Sequence, residues 1–293
     1  MERRAFLTAS AGLAAAFAWP ARGNPLGLPI GLQLYTVGAE MKADLPGTLK
    51  ALHDIGYREV ETAGFADLSA KEFRKRLEDA GLNCASCHLP LADGDLQRQF
   101  DSANQLGARY AVASTMFNQK AGKNAADIVG PRDRAAFDAM TQDMNRIGAA
   151  AVKAGLQFAY HNHDFEFKKF GDGQMVFDLL LKQTDKDLVK LEIDCGWMML
   201  GGHDPVTYMR QHPGRVRMLH IKDFVAATTR PSTTTDGHQG TELGRGFIDY
   251  KPIFAAARQA GVQHYFVEQE PPFVEMPALT AAKADYDYLH ALS

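Results

Sequence analysis

From Ile30 onward two kinds of stretch alternate along the chain. Short runs place apolar residues at every second position, the period of a strand. Each is followed by a longer run with apolar residues three and four apart, the spacing of one helix face. Strands are expected at Ile30 to Tyr35, Arg58 to Thr62, Asn83 to Leu89, Arg109 to Ser114, Gln157 to His161, Val189 to Asp194, Arg215 to Lys222 and His264 to Glu268. Helices are expected near Leu45 to Ile55, Ala70 to Ala80, Leu96 to Leu106, Arg132 to Ala154, Met175 to Gln183, Pro205 to Gln211, Tyr250 to Ala260 and Pro277 to Leu292. Gly56, Gly81, Gly107 and Gly155 close four of them, where a left-handed C-cap favours glycine.

Eight strand–helix units in roughly 265 residues match the size of a (β/α)₈ TIM barrel. No composition break or linker interrupts them, so residues 24–293 read as one domain. An open doubly wound sheet would show a Gly-rich phosphate turn after its first strand; YTVGAE after Leu34 has a single Gly.

The N-terminus departs from this pattern. Glu2-Arg3-Arg4-Ala5-Phe6-Leu7 opens on twin arginines, an uncharged Ala/Gly/Leu-rich run reaches Trp19, and Pro20-Ala21-Arg22-Gly23 ends it. These are the parts of an export signal. A twin-arginine signal over residues 1–23, the export machinery as partner and a periplasmic location are therefore expected. A buried or amphipathic first helix is the competing reading; the lack of charge between Arg4 and Arg22 speaks against it.

Composition adds exclusions. With 46% hydrophobic residues and a net charge of −3, the chain can bury a large core and offers no electrostatic reason to bind nucleic acid or an anionic membrane. Beyond the N-terminus nothing approaches the roughly 20 apolar residues of a membrane span. Alternation puts Cys84 on one face with Ser86 and His88, and Cys87 on the other. The Cys84-x-x-Cys87 pair therefore reads as two buried small hydrophobes and not as a metal or redox motif.

The candidate chemistry lies at the strand ends, because the C-terminal mouth of a barrel carries its active site. Lys190, Glu192 and Asp194 share the face of the sixth strand opposite Leu191 and Ile193, and the turn Cys195-Gly196 follows. The same alternation turns Gln33, Glu61, Ser86, His88, His161, His220, Lys222 and Glu268 inward. Enclosed charges of this density need compensation, and a divalent cation supplies it. His161, Asp194, His220 and Glu268, from four consecutive strands, form a two-nitrogen, two-oxygen set suited to one Mn²⁺, Zn²⁺, Co²⁺ or Fe²⁺ ion better than to Ca²⁺ or Mg²⁺. Each has a plainer reading: hydrogen-bonded core histidines for His161 and His220, a salt bridge to Lys222 for Glu268, and a helix N-cap for Asp194. His163 reads as a ligand-supporting or substrate contact, and His203 and His238 as loop candidates for substrate.

At these residues the chain resembles the sugar phosphate isomerase/epimerase family of xylose-isomerase-like barrels. The resemblance covers Ile30 to the C-terminus and rests on GLQLYT, YHNHDFEF, EIDCGW, LHIKD, LGRGFIDY and FVEQE, in that order. It implies one divalent metal held by Glu, Asp, His and Glu from strands five to eight. Asp194, His220 and Glu268 match that set, and His161 stands where the first Glu is usual. In the family's epimerases and ketose isomerases the two metal-bound glutamates exchange a proton across the substrate carbon, so His161 leaves Glu268 as the only such carboxylate.

Members with His there resemble inosose dehydratases and the lyases and hydratases of 3-keto sugars. The resemblance thus implies a lyase or dehydratase acting on a keto-sugar, glycoside or polyol. His161 or Glu268 would take the α-proton, and His88 and Lys222 are candidates for protonating the leaving oxygen. Gln33, Glu61, His163, His203 and Arg245 are candidate substrate contacts, Arg245 for an anionic group. A small carbohydrate is the expected partner, and association into a homo-oligomer stays open. An isomerase or epimerase on the same site and a non-catalytic sugar-binding protein are the alternatives.

Overall fold

The computed structural model describes residues 24–292 except 93, 115, 117–133 and 226–238. The expected signal with Arg3 and Arg4, His238 and the start of the helix expected from Arg132 lie outside the described residues.

The strands are β1 (Gly31–Gln33), β2 (Glu59–Thr62), β3 (Asn83–His88), β4 (Tyr110–Ala113), β5 (Gln157–His161), β6 (Val189–Asp194), β7 (Val216–Ile221), β8 (Asp223–Phe224), β9 (Gly240–Thr241) and β10 (His264–Val267). Eight of them close into one barrel in the order β1-β10-β7-β6-β5-β4-β3-β2, with every pairing parallel. The pair β8–β9 forms a small antiparallel ribbon beside it. The eight barrel strands are those expected from the two-residue periodicity.

The helices are α1 (Gly38–Ala43), α2 (Leu45–Ile55), α3 (Ala70–Asp79), α4 (Leu96–Leu106), α5 (Arg134–Lys153), α6 (Val176–Gln183), α7 (Cys195–Leu200), α8 (Pro205–Gln211), α9 (Tyr250–Ala260) and α10 (Ala278–Ala291). Their starts follow from local chemistry. Ser69 and Glu72 make a capping box at α3, and Asp95, Asp204 and Asp249 accept first-turn amides of α4, α8 and α9.

Two cores result. One lies between the outer strand faces and the helices; the other is a plug inside the barrel made of Ala85, Tyr110, Val112, Ala159, Met218 and Phe266. Phe266 lies so close over β1 that a Cβ on Gly31 would come within 2.5 Å of its ring. The plug sets the floor of the site: His161, His220 and Glu268 each follow Ala159, Met218 or Phe266 by two residues on the same face.

Two expectations are corrected. The register slips between β2 and β3, where Val60 pairs with Cys84 but Glu61 with Ser86. The extra residue turns Ala85 into the plug and Cys84 outward, so both Cys84 and Cys87 lie in the outer core and share no face with His88. Both thiols are buried, and burial raises their pKa values, consistent with inert core residues. The turn expected at Cys195-Gly196 is instead the first turn of α7, which Asp194 caps.

Candidate metal centre and active site

Asp194, His220 and Glu268 bring ligand atoms within 4.8 Å of one another above the plug, and His161 lies beside Asp194. His161 Nε2 and His220 Nδ1 each lie 3.9 Å from Asp194 Oδ2, and His220 Nδ1 lies 3.0 Å from Glu268 Oε2. A tetrahedral ion with bonds of about 2.0–2.2 Å separates its donors by roughly 3.3–3.6 Å, within the span of these distances. Asp194 Oδ1 caps α7 by accepting from Trp197 N at 2.8 Å. Its Oδ2 is buried without an aligned hydrogen-bond donor among the described residues, though Lys222 Nζ lies 3.0 Å away. Asn162 accepts from Asp194 N at 3.1 Å and so ties the end of β5 to that of β6.

Each histidine of this set has a buried carboxylate behind it. His161 Nδ1 faces Glu192 Oε2 at 3.1 Å, and His220 Nε2 faces Glu61 Oε1 at 2.6 Å. A carboxylate accepting from one ring nitrogen fixes the tautomer and leaves the other nitrogen as a donor to metal. In that tautomer His161 Nε2 and His220 Nδ1 would face an ion. Burial lowers the His220 pKa, but Glu192 and Glu268 outweigh it and hold the ring protonated. An ion would replace that proton, as metal binding to histidine does. The residues therefore fit a divalent metal.

A second group, His88, His161, Glu192 and His220, also brings ligand atoms within 4.8 Å of one another. Glu192 is fully enclosed, whereas the Glu268 side chain is 10% exposed. In the second group the carboxylate is sealed and His88 alone is partly exposed, at 13% of its side chain, whereas the group with Glu268 offers a partly exposed carboxylate.

His88 links the two supporting carboxylates: its Nε2 lies 2.9 Å from Glu61 Oε1 and 3.0 Å from Glu192 Oε2. Burial lowers the His88 pKa, but Glu61 and Glu192 raise it to about 10. Glu61 also accepts from Gln33 Nε2 at 2.8 Å and from Ser86 Oγ. Burial would raise Glu61, yet His88 and His220 hold it well below the usual carboxylate range. Burial and the charge of Glu61 push Glu192 up to about 7. Burial, then the positive charge of His220, drives His161 well down, leaving that ring neutral.

His163 stacks on Phe165 at 5.2 Å and meets His161 edge-on at 5.0 Å; its Nδ1 has no partner among the described residues. Burial, then Lys222, pushes its pKa down to about 3. Gln33 and Glu61 are buried, and Glu61 contacts His88 and His220. His203 stacks on Phe167 at 5.0 Å, away from this cluster. Arg245 is exposed, with Glu242 at 3.5 Å. The LGRGFIDY loop around it is clasped by Asp223, whose carboxylate accepts from Phe224, Gly244, Gly246 and Ile248. That motif is a backbone staple.

The sequence reading left Glu192 without a role. Its signal was present, because it shares the inward face of β6 with Asp194. Trp197 and Glu270 follow strand ends, where no periodicity marks them.

Residues 49–292 match the family model for the xylose isomerase-like TIM barrel. The chain belongs to that family. Within the xylose isomerase-like barrels it is 28% identical to the inosose dehydratase of Geobacillus thermodenitrificans over 200 residues, covering 63% of this chain and 65% of that enzyme. It is 24% identical to the inosose dehydratase of Lacticaseibacillus casei over 257 residues, covering 77% and 74%. The solved sugar phosphate isomerase/epimerase from Parabacteroides distasonis superposes with a TM-score of 0.72 at 25% identity, covering 96% of this chain and 98% of that one.

Proposed function

We propose that this chain is a divalent-metal lyase that removes the proton next to a carbonyl of a keto-sugar, keto-glycoside or keto-polyol and expels an oxygen substituent from the β-carbon. The observation that carries this reading is His161 in the ligand set, with Glu192 at 3.1 Å behind it. An epimerase of the family type needs a carboxylate on each face of the substrate carbon. Here one of the two positions is an imidazole with both nitrogens engaged, and Glu192 is sealed behind it. Glu268 is the one carboxylate of the set open to a substrate. The inosose dehydratases among the relatives support the same reaction class.

The ion, held by His161, Asp194, His220 and Glu268, would polarise the substrate carbonyl and stabilise the enediolate charge. Glu268 is ionised before substrate arrives: burial opposes it, but Lys222 and His220 hold its pKa far below the usual range. It is the base for the α-proton. His88, kept protonated by Glu61 and Glu192 and 13% exposed, is the donor to the leaving oxygen, with Lys222 as the second candidate. A positioned acid or base of this kind contributes about 10²–10⁴-fold in rate. The two-nitrogen, two-oxygen donors favour Mn²⁺, Zn²⁺, Co²⁺ or Fe²⁺.

We also assign the protein to the periplasm, on the twin-arginine start and uncharged run of residues 1–23. Glycosides and keto-sugars fit that compartment better than sugar phosphates do.

The test is product analysis on an inosose and a 3-keto-glycoside. Elimination releases water or the aglycone and leaves an unsaturated keto-sugar absorbing in the ultraviolet. A product of unchanged mass and no new absorbance would overturn the lyase reading in favour of an isomerase.

A further inference from the structure

Lys222 is a buried cation beside three carboxylates. Its residue is 4% exposed, and its Nζ lies 2.6 Å from Glu268 Oε2, 3.0 Å from Asp194 Oδ2 and 2.8 Å from Glu270 Oε1. The first two carboxylates are those assigned to the ion above, on which this inference rests. Asp194 has no spare oxygen, since Oδ1 is committed to the cap of α7. An ammonium and a divalent ion drawn to the same oxygens repel each other strongly in an enclosed site.

The surroundings leave the ammonium one way to move. Its backbone is fixed, because Tyr250 OH accepts from Lys222 N at 3.0 Å and donates to Lys222 O at 2.6 Å. Its stem lies against Gly196, where any Cβ would collide with Lys222 Cγ. The ring of Trp197 stands 4.9 Å from Nζ. Glu270, with 40% of its side chain exposed, lies toward solvent.

We propose that Lys222 is a resident cation that holds Asp194 and Glu268 in place before metal arrives and passes to Glu270 as the ion enters. Metal affinity is then set in part by two residues that do not bind the metal. The ion pairs with Asp194 and Glu268 offset the repulsion between those carboxylates in the metal-free protein and must be broken on loading.

The experiment measures Zn²⁺ and Mn²⁺ affinity of the full chain against a chromogenic chelator, together with the melting temperature of the metal-free protein. Lys222→Met should bind metal about tenfold tighter or more while its metal-free form melts lower. Glu270→Gln should bind about threefold weaker or more, and most of that effect should vanish in the Lys222→Met background. Lys222→Met binding no tighter than wild type, or Glu270→Gln acting equally in both backgrounds, would overturn the handover. Should Lys222→Met fail to fold, Glu270→Gln at its exposed position decides: weaker binding supports the proposal and unchanged binding defeats it. Wild type without affinity for either ion would instead bring down the metal reading itself, which Asp194→Ala checks separately by losing binding in every background.

Discussion

Glu192 Oε2 lies 3.1 Å from His161 Nδ1, on the side of the ring away from Asp194. On the proposed reading, His161 stands where the resemblance implies a glutamate, with its own glutamate behind it. That reading moves the negative charge one layer back, from the proposed ligand to its support. This keeps the electrostatic attraction for a cation while removing a base from the substrate's reach. The same arrangement recurs at His220, where Glu61 is the support.

Glu192→Gln tests that support directly. The amide keeps the shape but can present its NH₂ to His161 Nδ1, which then loses its preferred tautomer. Metal affinity should fall about 10–100-fold, the usual effect of removing a buried partner of a ligand histidine. Chelator competition measures it, and unchanged affinity would remove Glu192 from the site.

Most of the barrel was legible in the sequence because the two periodicities are strong and the glycine stops are well placed. The inward face of each strand end followed from alternation, which placed Asp194, His220 and Glu268 in one cluster with His161 beside Asp194. It failed at Cys84, since a one-residue bulge has no periodic mark. Asp194 and Glu268 show a different limit. The plainer readings, N-cap for one and salt bridge to Lys222 for the other, are both present beside the ligand geometry. For these residues structural and functional roles use different oxygens or different occupants of the same place, and a sequence cannot separate them.

Asp194→Ala and His220→Ala should each lose stoichiometric metal after purification from metal-supplemented medium, whereas wild type retains about one ion per chain. Elemental analysis of the three proteins side by side gives the result. Wild-type levels in both variants would show that the donors lie elsewhere.

Asp285 predicts a pH dependence of stability away from the metal site. Burial raises its pKa from 3.8 to about 8, although it accepts from Leu243 N; Glu242 and Asp223 raise it further, and Arg245 opposes them. The folded protein therefore holds a proton that the unfolded chain releases. The contribution is complete below the unfolded value and is lost progressively as pH rises through the folded one. Wild type should lose on the order of a few kcal/mol from this group between pH 5 and 8.5, and Asp285→Asn should not. Urea midpoints of both proteins across that range provide the check; parallel curves would contradict it.

The proposed periplasmic assignment requires that export depend on residues 1–23. Changing Arg3→Lys and Arg4→Lys together should leave the protein in the cytoplasm, because the twin arginines are the feature read by that machinery. Cell fractionation with an immunoblot reads the outcome, and unaltered export would remove the twin-arginine assignment.

Restoring the family's residue gives the sharpest test of the displaced charge. His161→Glu brings a carboxylate against Glu192, which burial and Glu61 have already pushed up to about 7. With no donor between them, two buried acids cannot both ionise without cost. The metal-free variant should melt roughly 5–10 °C lower, as expected for a loss of about 3 kcal/mol in a domain of this size. Adding Glu192→Gln supplies an amide donor and removes one charge, so the double variant should recover most of the loss and bind metal more tightly than His161→Glu alone. Differential scanning calorimetry and chelator competition on the four proteins of this cycle measure the coupling. Additive effects would mean that His161 and Glu192 act independently, and the one-layer shift of charge would then not explain the histidine.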